Sequence, residues 1–237
     1  EVFVENPRFD MNNTNALKTD FSNLLQQDYY HDSVGGWLGS RTVEQALSAV
    51  INHDINITNY CNEYKIPKPF VQAILFRELW TFNSSDVVIE EAVKRYFTDM
   101  EEHNGNPTGI HVKTDCSTGI GQIFAATATK ALNNAALRGY ISLSEPYSLT
   151  NWRHQKEIWY SLHENHTYNI MCVALVLLDC QYEYESKYGM YADEFFDFSE
   201  TEIKRILSRY NGYGSSAEEY GNDCYEYYLI FKSYNER

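Results

Sequence analysis

The chain has 237 residues, enough for one large domain or two small ones, and its 43% hydrophobic and 22% charged residues match a folded globular protein rather than a disordered one. Nineteen Lys and Arg against 33 Asp and Glu leave a formal charge of -14, which argues against nucleic acid as a partner, because phosphate backbones need a basic footprint. The longest apolar run, Ile170 to Leu178, falls short of the roughly 20 residues that cross a bilayer, so no membrane span is expected.

The chain opens at Glu1 without a basic and apolar leader, and the expectation is a removed signal or a piece of a longer polypeptide. Helical patterns run over Asn15 to Tyr29 and Thr42 to His53, with a break at Gly35-Gly36 between them. Thr42-Val-Glu-Gln45 has the form of a capping box ahead of LSAVI. Residues 1–60 read as an N-terminal helical layer or a small accessory segment, and 61–237 as the main domain, with one continuous domain as the alternative. After Pro67 and Pro69, FVQAILFRELW places Phe70, Ile74 and Arg77 at helical spacing, with apolar residues on the adjacent faces. This predicts a mostly buried helix with Glu78 near its C-terminal end. Further helices are predicted over 86–102, 121–137, 150–162, 168–188, 200–210 and 216–233, and a short hairpin or extended piece over Gly105 to Lys113. Ser199-Glu-Thr-Glu202 and Ser216-Ala-Glu-Glu219 supply two more capping-box patterns. The predicted class is mainly α.

Five cysteines, at 61, 116, 172, 180 and 224, form no CxxC pair, so a structural zinc site is not expected. Cys172 and Cys180 on one helix would stand about 12 Å apart and could not bond to each other. Four N-x-S/T sequons, at Asn12, Asn56, Asn83 and Asn165, matter only in a eukaryotic secretory route. Twenty tyrosines would suit a carbohydrate or protein surface, although aromatic rings are also ordinary core material.

Three stretches can carry chemistry. Glu78 sits on an apolar helix beside Leu79 and Trp80; burial there would raise its pKa and leave it partly protonated near neutrality, as an acid that donates to a glycosidic oxygen requires. The plainer alternative is an ion pair with Arg77 or another base. TDCSTGIGQI, residues 114–123, offers Gly119 and Gly121 for close backbone approach and positive φ, and Gln122 at a helix start. A Cys116 nucleophile would need His111 or His163 beside it, and no local cysteine-protease signature surrounds it. ILSRYNGYG, residues 206–214, ends a helix at Tyr210-Asn211-Gly212, where a C-cap explains Asn and Gly but does not select Tyr.

Taken in this order, FRELW, STGIGQI and RYNGYG resemble the lysozyme-like glycosidases, particularly bacterial lytic transglycosylases and goose-type lysozymes. The resemblance covers roughly residues 66–137 and 200–231. It implies a lysozyme-like fold, Glu78 as general acid, and Ser117, Ile120, Gly121 and Gln122 as the residues that hold a sugar chain. Tyr210 would hydrogen-bond near Glu78, and Asn211 would steady the turn. Leu79 stands where the family usually has Ser, and Gly121 where Met is common. The long interval from Glu78 to Gly119 implies an inserted helix, Asp86 to Glu102. Phe124 replaces the Asp that goose-type enzymes often carry, leaving Asp115 as the candidate second carboxylate, with a turn residue bonding its own backbone as the competing reading.

The resemblance implies cleavage of the β-1,4 bond between N-acetylmuramic acid and N-acetylglucosamine in peptidoglycan, with no metal or organic cofactor. The expected partner is a peptidoglycan glycan strand. Because that polymer is itself often anionic, the negative charge suggests a module delivered by another protein, such as a secreted effector or toxin opposed by an inhibitory partner, in a secreted or cell-envelope, periplasmic location. The alternatives are a catalytically inactive glycan- or protein-binding module and an enzyme for chitin or cationic chitosan.

Overall fold

The computed structural model describes residues 3–25, 41–189 and 198–235. Among these the chain forms ten α-helices and no strand, in agreement with the mainly α expectation. The helices are α1 (Thr14–Leu25), α2 (Val43–Asn52), α3 (Asp54–Glu63), α4 (Lys68–Thr81), α5 (Ser84–Glu102), α6 (Ala125–Leu137), α7 (Trp152–Glu164), α8 (His166–Tyr188), α9 (Glu200–Tyr210) and α10 (Ser215–Asn235). The Gly35-Gly36 break and the end of the first predicted helix, to Tyr29, lie outside the described residues.

Two helices are buried on nearly all sides and carry the core. On α4 every residue from Lys68 to Phe76 is buried, because its apolar residues occupy all faces rather than one stripe. α4 packs against α2, α3, α8 and α10. α8 contributes the continuous apolar run to Leu178 and packs against α6, α7 and α9. Neither these nor any other helix among the described residues is long and apolar enough to cross a membrane.

The N-terminal residues join the same core. On α1, Leu17 and Phe21 are fully buried, and the Phe21 ring lies 4.4 Å from Phe76 on α4 and 5.0 Å from Phe231 on α10. Ahead of α1, Asn6 straps the chain down by donating its amide N–H to Asn62 Oδ1 at 2.7 Å, while its own Oδ1 accepts from the Lys68 N–H at 2.6 Å. Lys68 Nζ, wholly buried, donates to Asp54 Oδ1 at 2.9 Å, and Arg8 Nε meets the other oxygen at 2.6 Å.

Two capping boxes read from sequence form as expected, at Thr42 with Gln45 and at Ser199 with Glu202. The third does not: α10 begins at Ser215, directly after Gly214 with φ +95°. α5 instead gains a box between Asn83 and Asp86. The predicted hairpin over 105–113 is a loop, because its donors turn to a carboxylate. Asp99 accepts the N–H groups of Thr108 (3.0 Å) and Gly109 (2.9 Å) and contacts His111 Nε2 at 2.6 Å. All five cysteines are buried and free.

Candidate functional site

The end of α4, the start of α5, the 117–124 segment and the α9–α10 turn surround a cleft of about 440 Å³, within the size range of small-ligand sites. Five residues singled out from sequence line it together: Glu78, Ser117, Gln122, Tyr210 and Asn211. Thr81, Asp86, Phe124 and Arg209 complete much of the remaining wall. Glu78 also borders a second, smaller pocket of about 140 Å³, which holds Ile120 together with Arg41, Glu90, His163 and His166. The Glu78 side chain therefore stands between two hollows.

The electrostatics of Glu78 follow from that position. Burial raises its pKa from the ordinary carboxylate value to about 7, and the Asp86 charge adds to the rise; the Tyr220 hydroxyl and the Arg77 charge oppose it more weakly. The predicted competing ion pair is absent in its simple form, since Arg77 Nε turns to Asp223 Oδ2 on α10 at 3.2 Å. The Arg77 guanidinium also lies over the Tyr220 ring, 5.5 Å from its centre. The Tyr220 hydroxyl is buried and completes no hydrogen bond of normal geometry, yet it acts on the Glu78 carboxyl as a nearby dipole.

The 117–124 part of the cleft wall is a tight turn. Thr118 and Ile123 exchange two backbone hydrogen bonds, each 3.1 Å, and the Gln122 N–H closes onto Gly119 O at 3.2 Å. Gly119 and Gln122 both have positive φ, +72° and +45°. This changes the predicted element: α6 starts at Ala125, not 121, because a residue at φ +45° and an extended Phe124 cannot belong to the helix. Gly121 is required for packing rather than for its φ, since a Cβ there would fall 2.2 Å from Val173 Cγ2 and 2.8 Å from Asn169 Oδ1. Asn169, fully buried on α8, secures the turn by accepting from the Gly121 N–H (2.8 Å) and donating to Thr118 O (3.1 Å) and Leu162 O (3.0 Å).

Tyr210 is in the cleft, but its hydroxyl donates to Gly121 O at 2.6 Å, so it braces the turn. Within the turn, Ser117 Oγ donates to Gln122 Oε1 at 3.2 Å and Gln122 Nε2 to Gly119 O at 2.8 Å. Those bonds hold both side chains in place in the cleft wall.

Asp115 is placed elsewhere. Its carboxylate accepts the N–H groups of Ala125 at 3.2 Å and Ala126 at 3.1 Å, capping α6 from ten residues upstream in place of Phe124, which has no side-chain acceptor. It borders neither hollow. The other carboxylate that lines the cleft with Glu78 is Asp86, whose Oδ2 accepts the Asn83 N–H at 2.8 Å. Cys116 is buried and burial pushes its thiol up to about 11; His111 is engaged by Asp99 and His163 by Thr118, so the thiol has no activating base.

Sequence reasoning missed Asp86, Arg209, Arg41 and Asn169. The Asn83-Ser-Ser-Asp86 spacing could have flagged Asp86, as an N3 acid at a helix start. An Asn opening the most apolar run of the chain could have flagged Asn169, because a buried amide must find partners. Among the described residues no group of three or more His, Cys, Asp and Glu side chains is arranged to hold a metal ion. In comparisons with known proteins, no family model matches the chain, and no curated protein and no solved structure matches it.

Proposed function

We propose that the chain is a glycosidase that cleaves the β-1,4 bond between N-acetylmuramic acid and N-acetylglucosamine in peptidoglycan, in the manner of a lytic transglycosylase with a lysozyme-like arrangement. The observation that carries this reading is Glu78: a carboxyl with a pKa near 7, in a cleft whose wall includes the two other motifs that resemble those enzymes. A group titrating there is half protonated at neutral pH and can serve as acid and then as base.

In the first step Glu78 donates its proton to the glycosidic oxygen as the bond to C1 of the muramoyl residue breaks, with positive charge developing on that ring. In the second, the Glu78 carboxylate accepts the proton of the C6 hydroxyl of the same residue as O6 bonds to C1. The product is a 1,6-anhydro sugar, Glu78 returns to its protonated form, and no water is consumed. Ser117, Gln122 and Asn211 supply the polar contacts that hold the strand, and Tyr210 keeps the turn in register. With Asp115 committed to the α6 N–H groups, hydrolysis would need Asp86 to hold the water, so Asp86 is the residue that decides between transglycosylase and muramidase products.

The charge of -14 fits a module brought to the wall by a delivery protein and held in check by an inhibitory one, in a secreted or cell-envelope setting. The test is mass spectrometry of fragments released from purified peptidoglycan. The chain should release 1,6-anhydro muropeptides and Glu78→Gln should release none; reducing ends would move the assignment to a muramidase acting through Asp86. Equal release by both proteins, or release by neither, would leave a glycan- or protein-binding module or an enzyme for chitin or chitosan.

A further inference from the structure

The smaller hollow behind Glu78 is polar for reasons that the acid alone does not explain. Arg41 enters it from the segment just before α2, with Nη1 donating to Leu79 O at 3.2 Å and the guanidinium 5.2 Å from the centre of the Phe82 ring. No carboxylate among the described residues pairs with Arg41. Burial lowers its pKa, as it does for a cation whose lost hydration is not replaced by a counter-charge. Two acids border the same hollow, Glu78 and Glu90, and Glu90 is already engaged: its Oε1 accepts from Thr118 Oγ1 at 2.6 Å and lies 3.6 Å from His163 Nδ1. His166, set edge-on to His53 with ring centres 5.1 Å apart, adds another imidazole.

A guanidinium beside an aromatic ring, spending one N–H on a backbone carbonyl and lining a hollow in which neither Glu78 nor Glu90 pairs with it, has further N–H groups with which to receive a planar anion through paired hydrogen bonds. We propose that this hollow is a subsite for a carboxylate carried by the glycan strand, bound by Arg41 while the scissile bond lies over Glu78. The proposal rests on the glycan-cleaving reading above and narrows its substrate to strands with acidic substituents, as distinct from neutral chitin. Two chemical sources would present the same group: a free lactyl carboxyl on a muramoyl residue, or a carboxylate of a peptide stem attached there.

Binding is measured by calorimetry on the Glu78→Gln chain, with three tetrasaccharides as probes: neutral N-acetylglucosamine oligomer, alternating muramoyl oligomer with free lactyl carboxyls, and the same oligomer carrying peptide stems. At least one acidic probe should bind about tenfold tighter than the neutral one, the ratio expected for one added charge-assisted hydrogen-bond pair. Arg41→Met, made in the same background, should erase that ratio, and Arg41→Lys should keep part of it. Preference for the first acidic probe identifies the lactyl carboxyl, and preference for the second the stem. Equal affinity for all three probes, or a ratio that Arg41→Met leaves intact, overturns the subsite while the glycan reading stands. Absence of binding to every probe, with no cleavage by the unsubstituted chain, removes the glycan reading and the subsite with it.

Discussion

A carboxylic acid held near pKa 7 costs the folded protein stability at the pH where it works. Glu78 binds its proton more tightly folded than unfolded, because burial raises its pKa from about 4.5 to about 7. Between those values the native chain carries the extra proton, so stability falls as pH rises, and the loss levels off above the folded pKa. Glu78→Gln has no charge to bury. Its advantage should be nil at pH 4, grow through the interval, and reach about 3 kcal/mol above pH 7.5. Denaturant melts of the two proteins across that range check this. An advantage independent of pH would mean that Glu78 is ionised normally in the native state, and the acid role would fall with it. Arg77 tempers this expectation without reversing it, since its charge lowers the Glu78 pKa by less than burial raises it, while its Nε meets Asp223 Oδ2 at 3.2 Å.

At the scale of elements, the cleft wall is made by a turn that is pinned on both sides before a helix begins. Asp115 caps α6 across ten residues, and Asp115→Ala should lower stability by about 1 kcal/mol, as the loss of a helix cap does. The same variant should leave the ratio of anhydro to reducing products unchanged, because Asp115 borders neither hollow; a shift in that ratio would restore it as a water-holding group. Elements defined by local spacing were legible from sequence. The Thr42 and Ser199 boxes rest on partners three residues apart, and α4 on a dense apolar stretch. α3 was not, because its buried positions Asp54, Ile57, Thr58 and Cys61 have helical spacing but include two polar residues that are satisfied by Lys68. The true start of α6 was hidden for a related reason, since it depends on the positive φ of Gln122 and on Asn169, whose partner Gly121 is 48 positions away. That Glu78, Ser117, Gln122 and Tyr210 share one cleft was legible because a motif order stood in for the missing distances. Arg41 and Asp86 had no motif to announce them.

Across the whole molecule, α4 links the cleft to the N-terminal strap: Glu78 stands near one end, and Lys68 at the other, about 15 Å away along the helix axis. Lys68 gathers the strap through Pro7 O and α3 through Asp54 and Thr58. The pair is a constrained one. Burial opposes the charge on both groups, lowering the pKa of Lys68 on balance, while for Asp54 the bonds from Arg8, Lys68 and the Phe9 N–H outweigh burial and lower its pKa. Removing Lys68 should then cost more than removing both partners, because the buried Asp54 carboxylate keeps its lost hydration with only the half-exposed Arg8 and the Phe9 N–H left to offset it. Lys68→Met should destabilise the chain by about 3 kcal/mol, and Lys68→Met combined with Asp54→Asn should recover part of that loss. Equilibrium unfolding of the two variants decides the matter: if the double variant is the less stable, the pair stabilises the fold outright, and the charges at Lys68 and Asp54 hold the strap more firmly than the neutral hydrogen bonds of Asn6 do.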